Sequence, residues 1–290
     1  MGRPRWSRPH GREIFVVCNL ASLCLGAIDV DDPDEVEYIA ASAVRALDNV
    51  IDLNFLSPWP MPELPIRITE ESVWESAVTI ICWQSTVYGG RARNIWPLQT
   101  WCLSGFITRL SGPAPIWRLR RDATGIFEGS EWQTGAYFEK RGLVSREWKE
   151  LAEQVAEHGM RNAYLLAVAP TSSTSILSGT TAGLDPVMKR FYLEEKKNAI
   201  LPRVAPDLTP RTFWLYKSGY TMDQTWTVRA AGVRQRHIDQ AQSVNLYITN
   251  DYTMRQLLNL YILAWESGVK TLYYVRSKSL EVEECESCSS

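Results

Sequence analysis

Apolar positions fall along this chain in two rhythms, broken once by a long stretch that keeps neither. Ile14 to Ile28 (IFVVCNLASLCLGAI) is nearly continuous apolar sequence, the pattern of a strand buried on both faces. Asp32-Pro33 then opens a helix: Asp32 suits the N-cap, Pro33 the first helical position, and Asp34 and Glu35 the positive end of the dipole. Val36, Ile39, Ala40, Ala43, Leu47, Val50 and Ile51 repeat at helical spacing and give one apolar face through about Leu53. Further on, Ser145 caps a helix with Trp148, Leu151, Val155 and Ala156 on one face, stopped at Gly159. Asn162 to Val168 reads as a short buried strand. A helix over about 226–240 precedes a strand at Gln242 to Ile248. Thr253 opens a helix with Met254, Leu257, Leu258, Tyr261, Ile262 and Trp265 inward, ended by Gly268, and Val269 to Val275 is a final strand. Strands alternating with helices predict an α/β fold with parallel strands, as in part of a barrel.

The interruption runs from about Leu56 to Thr124. Six of the 12 tryptophans fall there (Trp59, Trp74, Trp83, Trp96, Trp101, Trp117), among scattered Pro, Arg, Ser and two Cys, with neither period sustained. The expected layout is an irregular N-terminal segment (1–13), a strand and helix (14–55), this anomalous segment (56–124), a second ordered portion (125–276) and a flexible, polar, acidic tail (277–290).

Composition narrows the class without naming it. At 290 residues and 45% apolar content, the chain can bury one large core or two modest ones. The net charge of −2 gives no bias toward nucleic acid or membrane. No run of about 18 apolar residues exists, so no transmembrane helix is expected. Met1 to Arg12 is basic but leads into no apolar core with a cleavage site, so no signal peptide is read there. Six cysteines in a chain this large point to thiols in a reducing compartment, the cytoplasm, rather than to a disulfide scaffold.

Two stretches carry candidate chemistry. After the strand at Asn162 to Val168 come Ala169-Pro170 and five consecutive hydroxyl residues, Thr171, Ser172, Ser173, Thr174 and Ser175, then an apolar pair. A strand ending in a polar loop that opens a helix aims several free backbone N–H groups at one place, an anion site for which phosphate is the usual occupant. An ordinary Ser/Thr-rich turn with an N-cap fits the same residues. The second stretch is Cys285-x-x-Cys288 on the acidic tail, able to swing in, reduce a buried disulfide by exchange and swing out again. Half of a zinc site is the alternative, but His10, His158 and His237 are isolated and no second ligand pair is present, so no metal is assigned.

Several stretches together resemble the large, catalytic subunit of ribonucleotide reductase. They are Val17-Cys18-Asn19-Leu20-Ala21-Ser22 with Leu25-Gly26-Ala27, Arg45 to Asp52 (RALDNVID), the hydroxyl loop with Gly183-Leu184-Asp185-Pro186, Ile238 to Leu246 (IDQAQSVNL), Gly268 to Tyr274 (GVKTLYY) and the Cys285-Glu286-Ser287-Cys288 tail. The match covers roughly 14–55 and 125–290, and implies the C-terminal portion of that family's ten-stranded α/β barrel, with an irregular middle segment and a flexible tail. The resemblance implies reduction of ribonucleotides to deoxyribonucleotides by thiyl-radical chemistry, with Cys18 as one member of the redox cysteine pair. Without the flanking residues, Cys18 reads instead as a small apolar core residue. Thr171 to Ser175 would hold the substrate's diphosphate or triphosphate, and Tyr273 and Tyr274 would relay the radical to the active-site cysteine. Adjacent strand residues face opposite ways, so stacking that pair needs a local break; otherwise the two pack on opposite faces. No cofactor is expected in this chain: the radical would come from a metal-containing small (beta) subunit, or from adenosylcobalamin as in other relatives. A thioredoxin- or glutaredoxin-type protein would be the external reductant, and the complete subunit would be a homodimer, with no nucleic-acid or membrane partner.

The chain also departs from that family. The radical cysteine, in Asn-x-Cys-x-Glu upstream of the Cys18 strand, is missing, as are the partner cysteine and the N-terminal effector regions. This chain is therefore expected to be inactive alone, a fragment of the subunit or a non-catalytic phosphate-binding remnant. At 56–124, Phe106 to Trp117 and Ile81 to Thr86 both back-translate, in one shifted frame, to segments of the helical kind the family has there. A stretch read out of frame is one account and a divergent insertion the other.

Overall fold

The computed structural model describes residues 16–29, 32–55, 73–81, 127–160, 162, 164–196 and 199–278. These divide into two compact units, with the main division between Ala167 and Val168.

The first unit holds strand β1 (Val16–Cys24), helix α1 (Pro33–Phe55), strand β2 (Val73–Ile81), the short helices α2 (Glu131–Thr134) and α3 (Ala136–Lys140), helix α4 (Arg146–His158) and strand β3 (Leu166–Ala167). The sheet order is β1-β2-β3, and β2 runs parallel to β3 with Val78 opposite Leu166 and Thr79 opposite Ala167. Helix α1 starts where its sequence says it should: the Asp34 N–H donates to the Asp32 carboxylate at 2.9 Å. Val36, Ala40, Val44 and Leu47 form its buried face, while Val50 is exposed. On β1, Leu20 is exposed and the described side chains from Ala21 onward are half-buried, so burial on both faces does not hold there. Strand β2 falls inside the 56–124 stretch, the rest of which lies outside the described residues. Helix α4 matches its expected bounds and buries Trp148, Leu151 and Val155, but Ala156 faces solvent.

The second unit holds the one-turn helix α5 (Thr174–Leu177), the antiparallel hairpin β4 (Phe191–Lys196) and β5 (Ala199–Val204), helix α6 (Gln224–Gln235), strand β6 (Leu246–Thr249), helix α7 (Met254–Glu266) and strand β7 (Val275–Lys278). Strands β6 and β7 are parallel neighbours joined through α7, a βαβ unit. Val228 of α6, Leu246 of β6, and Leu260 and Ala264 of α7 make its buried core.

Several expected bounds move, each for a hydrogen-bonding reason. Helix α6 stops at Gln235 because the chain beyond it tightens, His237 N donating to Arg234 O at 2.9 Å and Ile238 N to Gln235 O at 3.3 Å, while the Gln235 side-chain amide donates to Ile238 O and Gln240 O at 3.0 and 2.9 Å. The expected strand from Gln242 becomes a ladder only at Leu246, since the preceding residues bond elsewhere: Ser243 N donates to Val168 O at 2.7 Å and Asn245 N to Asp185. The last strand begins at Val275 rather than Val269, and its final residues Ser277 and Lys278 fall in what reads as tail. Helix α7 opens at Thr253 as expected, through a capping box with Gln256, but of its expected inward residues only Leu257 packs inward. Both faces are apolar, and the packed one is Leu257, Leu260 and Ala264. Met254, Leu258, Tyr261, Ile262 and Trp265 are exposed, Trp265 by 80%.

Candidate active site

The hydroxyl loop lies wholly in the second unit. Past Val168 the chain turns so that Thr171 and Ser175 are buried while Ser172, Ser173 and Thr174 face solvent. Ser175 N donates to Thr171 O at 2.9 Å, Ile176 N to Ser173 O at 3.2 Å, and Thr180 N closes the loop on Ser175 O at 3.0 Å. Among the described residues, the backbone N–H groups of Ser172, Ser173 and Thr174 find no acceptor. The Thr171 hydroxyl is buried without a partner. The expected helix amounts to four residues, so a summed dipole contributes little and the individual N–H donors matter more. Positive charge comes instead from Arg203 of β5, whose Nη2 donates to Ser172 O at 3.1 Å. Three free donors, three exposed hydroxyls and a guanidinium at one turn suit an anion with several oxygens.

Tyr273 and Tyr274 stand just before β7, where strand regularity lapses. Their ring centroids are 4.0 Å apart with planes inclined at 49°, the local break that neighbouring residues need if both rings are to meet. Each ring is about half exposed, and the Arg276 guanidinium sits 5.5 Å from the Tyr274 centroid. A hydrogen bond to Tyr274 raises the Tyr273 phenol above the ordinary tyrosine value.

One acidic residue joins these features. The Asp185 Oδ2 accepts from the Asn245 backbone N–H at 3.1 Å and from its side-chain amide at 2.6 Å. Burial raises the Asp185 pKa, against the Asn245 hydrogen bonds and the charge of Arg234. Buried Tyr247 is raised as well, first by desolvation and then by the Asp185 charge. Beneath them runs an amide network in which Arg234 Nε donates to Gln242 Oε1 at 3.0 Å and Thr271 Oγ1 to Gln242 O at 3.0 Å.

In the first unit, Cys18 lies on β1, and its side chain is outside the described residues. The neighbouring Asn19 amide donates to Leu47 O at 2.8 Å, and the Asn162 amide to the Asp48 carboxylate at 3.1 Å, so α1 is pinned to β1 and to the segment that precedes β3. Cys285 and Cys288 also lie outside the described residues. Of the residues expected at the site, the structure thus brings the loop and the tyrosine pair into one unit. Sequence reasoning passed over Arg203, Asp185 and Asn245. The last two sit inside motifs already singled out, Gly183-Leu184-Asp185-Pro186 and Ile238 to Leu246, but a hairpin arginine 31 residues beyond Ser172 carries no local signal.

Residues 99–275 match the family model described as the ribonucleotide reductase barrel domain. That match begins inside the 56–124 stretch. The chain is 50% identical over 290 aligned residues to the ribonucleoside-diphosphate reductase subunit alpha of Treponema pallidum, covering 95% of this chain and 32% of the relative. It is 33% identical over 288 residues to the subunit alpha of Helicobacter pylori J99, covering 92% and 35%, and 27% identical to that of Synechocystis, covering 90% and 36%. The chain thus spans about a third of the length of these curated relatives. With the family model matched over 99–275, the chain belongs to the ribonucleotide reductase barrel-domain family.

Proposed function

We propose that this chain is the part of a ribonucleoside-diphosphate reductase large subunit that grips the substrate's phosphates and relays the oxidising equivalent toward the ribose. The observation that carries the reading is the close Tyr273–Tyr274 pair, held in the same unit as a loop with three free N–H donors and Arg203. The loop binds the phosphate oxygens through Ser172 to Thr174 and orients the nucleotide. The tyrosine pair passes an electron between adjacent phenols, with the proton moving along their hydrogen bond. The oxidising equivalent comes from a metal-bearing small subunit, or from adenosylcobalamin in the alternative. A docked small subunit is favoured by the exposed apolar stripe on α7, the helix that leads directly into the tyrosine segment.

Reduction of one ribonucleotide consumes two thiol hydrogens: the ribose 2′-hydroxyl leaves as water, and two cysteine thiols become a disulfide. Cys18 supplies one of those thiols, and its partner belongs to the remainder of such a subunit. Cys285 and Cys288 then reduce that disulfide by exchange, taking it onto the tail for a thioredoxin- or glutaredoxin-type protein to reduce. This thiol cycle suits the reducing cytoplasm, where we place the protein. The complete subunit works as a homodimer. Among the described residues no helix is long and apolar enough to cross a membrane.

The loop is tested by titrating the full chain with a nucleoside diphosphate in a calorimeter. Thr174→Asp sets a carboxylate among the donors while suiting the first helical turn, so the fold is kept and affinity falls roughly tenfold, with weaker salt dependence. Failure of the unmodified chain to bind, or equal binding by Thr174→Asp, would sink the phosphate assignment.

A further inference from the structure

We propose that Asp185 is a positioning residue for the Tyr273–Tyr274 pair, acting through Asn245. The functional meaning of this inference rests on reading the pair as a relay; its geometry does not. Asn245 stands between the two residues whose backbones hold the tyrosines. Tyr273 N donates to Val244 O at 2.8 Å, and Leu246 N donates to Tyr274 O at 2.9 Å. Any displacement of Asn245 therefore moves both bonds. The regular ladder between β6 and β7 starts at Leu246 opposite Val275, so it reaches Tyr274 only through that Leu246 bond and leaves Tyr273 to Val244. Nor does packing suffice, because both rings are half exposed. What anchors Asn245 is one carboxylate oxygen, Asp185 Oδ2, which takes its main-chain N–H and its side-chain amide together.

The route by which Asp185 reaches that point is equally specific. The chain leaving the hydroxyl loop turns at Gly183, whose φ of +149° is open to glycine and strained for other residues. The Thr181 hydroxyl donates to Gly183 O at 3.0 Å and steadies the same turn. The clasp thus also ties the exit of the loop to the segment carrying the tyrosines. It requires an acceptor oxygen at 185; a negative charge is not needed for the two hydrogen bonds. That distinction makes the inference testable.

The experiment places 3-fluorotyrosine at position 273 of the full chain and follows its phenol titration by fluorine NMR, with circular dichroism to monitor the fold. In the unmodified chain the phenol titrates above free fluorotyrosine, because it is bonded to Tyr274 and only partly opposed by Arg276. Asp185→Val removes the acceptor: the pair loosens, the resonance moves, and the titration returns to that of the free amino acid. Asp185→Asn keeps an acceptor oxygen and preserves the unmodified profile. Asn245→Ala retains the main-chain bond and gives an intermediate profile, which serves if Asp185→Val does not fold. The proposal is overturned if folded Asp185→Val titrates like the unmodified chain, if Asp185→Asn behaves like Asp185→Val, or if Asn245→Ala changes nothing. No nucleotide or partner enters this measurement, so a failure of the reductase reading leaves its outcome intact, and the reverse also holds.

Discussion

His237 gives this chain a built-in sensitivity to mild acid. Its ring is 3% exposed, and neither imidazole nitrogen has a hydrogen-bond partner. Burial first, and the nearby Arg236 charge second, push its pKa down from 6.5 to about 4. Above pH 6.5 the ring is neutral in both folded and unfolded chains, and it adds no pH dependence. As pH falls below 6.5 the unfolded chain binds the proton first, and folding loses stability until the folded ring also protonates near pH 4. At about 1.4 kcal/mol per pH unit, that window amounts to ~3 kcal/mol in all, and to ~2 kcal/mol by pH 5. His237→Phe keeps an aromatic of similar shape and removes the titration together with the unpartnered nitrogens. At pH 7.5 it should be neutral or stabilising by ~1 kcal/mol, since no bonded partner is orphaned. Urea unfolding of both chains at pH 7.5, 6.5, 5.5 and 5.0 isolates the term, because His10, His158 and all carboxylates cancel in the difference. The advantage of His237→Phe should widen toward pH 5 at unchanged slope against urea. A difference independent of pH would show that the ring titrates normally, and the account of its burial would be wrong.

Two further substitutions test the packing of the second unit. A Cβ added at Gly219 would lie 2.8 Å from Cδ2 of Tyr247, so Gly219→Ala must push that buried ring aside; a loss of ~1–3 kcal/mol in chemical unfolding is expected, and no loss would refute the contact. On helix α7, Leu260→Ala should cost ~2–4 kcal/mol whereas Trp265→Ser should stay within ~0.5 kcal/mol, despite tryptophan's greater size; the reverse order in thermal melts would restore the inward face that the spacing suggests.

That last contrast shows where the sequence was legible and where it was not. Periodicity and caps located α1, α4 and α7 closely, because Asp32, Ser145 and Thr253 each meet a start signal followed by a regular apolar repeat. Periodicity could not say which side of α7 is buried. With Leu, Ile, Tyr and Trp around most of its circumference, two stripes compete, and only the partners Val228 and Leu246 decide between them. Strand ends were misplaced for a related reason. Gln242 to Asn245 and Thr271 to Tyr274 have strand composition, but their backbone groups are taken by Val168, Asp185 and each other outside a regular ladder. The same irregularity is what lets Tyr273 and Tyr274 meet. At the candidate site, the hydroxyl run announced the loop because five such residues in a row are a local signal, yet the groups that complete it come from 203, 185 and 245. Local chemistry is written in neighbouring letters, whereas the acceptor for a backbone N–H 60 residues away is set by how the chain returns on itself. A resemblance spread over several short motifs carried more of the second kind of information than any one stretch, since Asp185 and Asn245 each lie in one of those motifs and meet only in the fold.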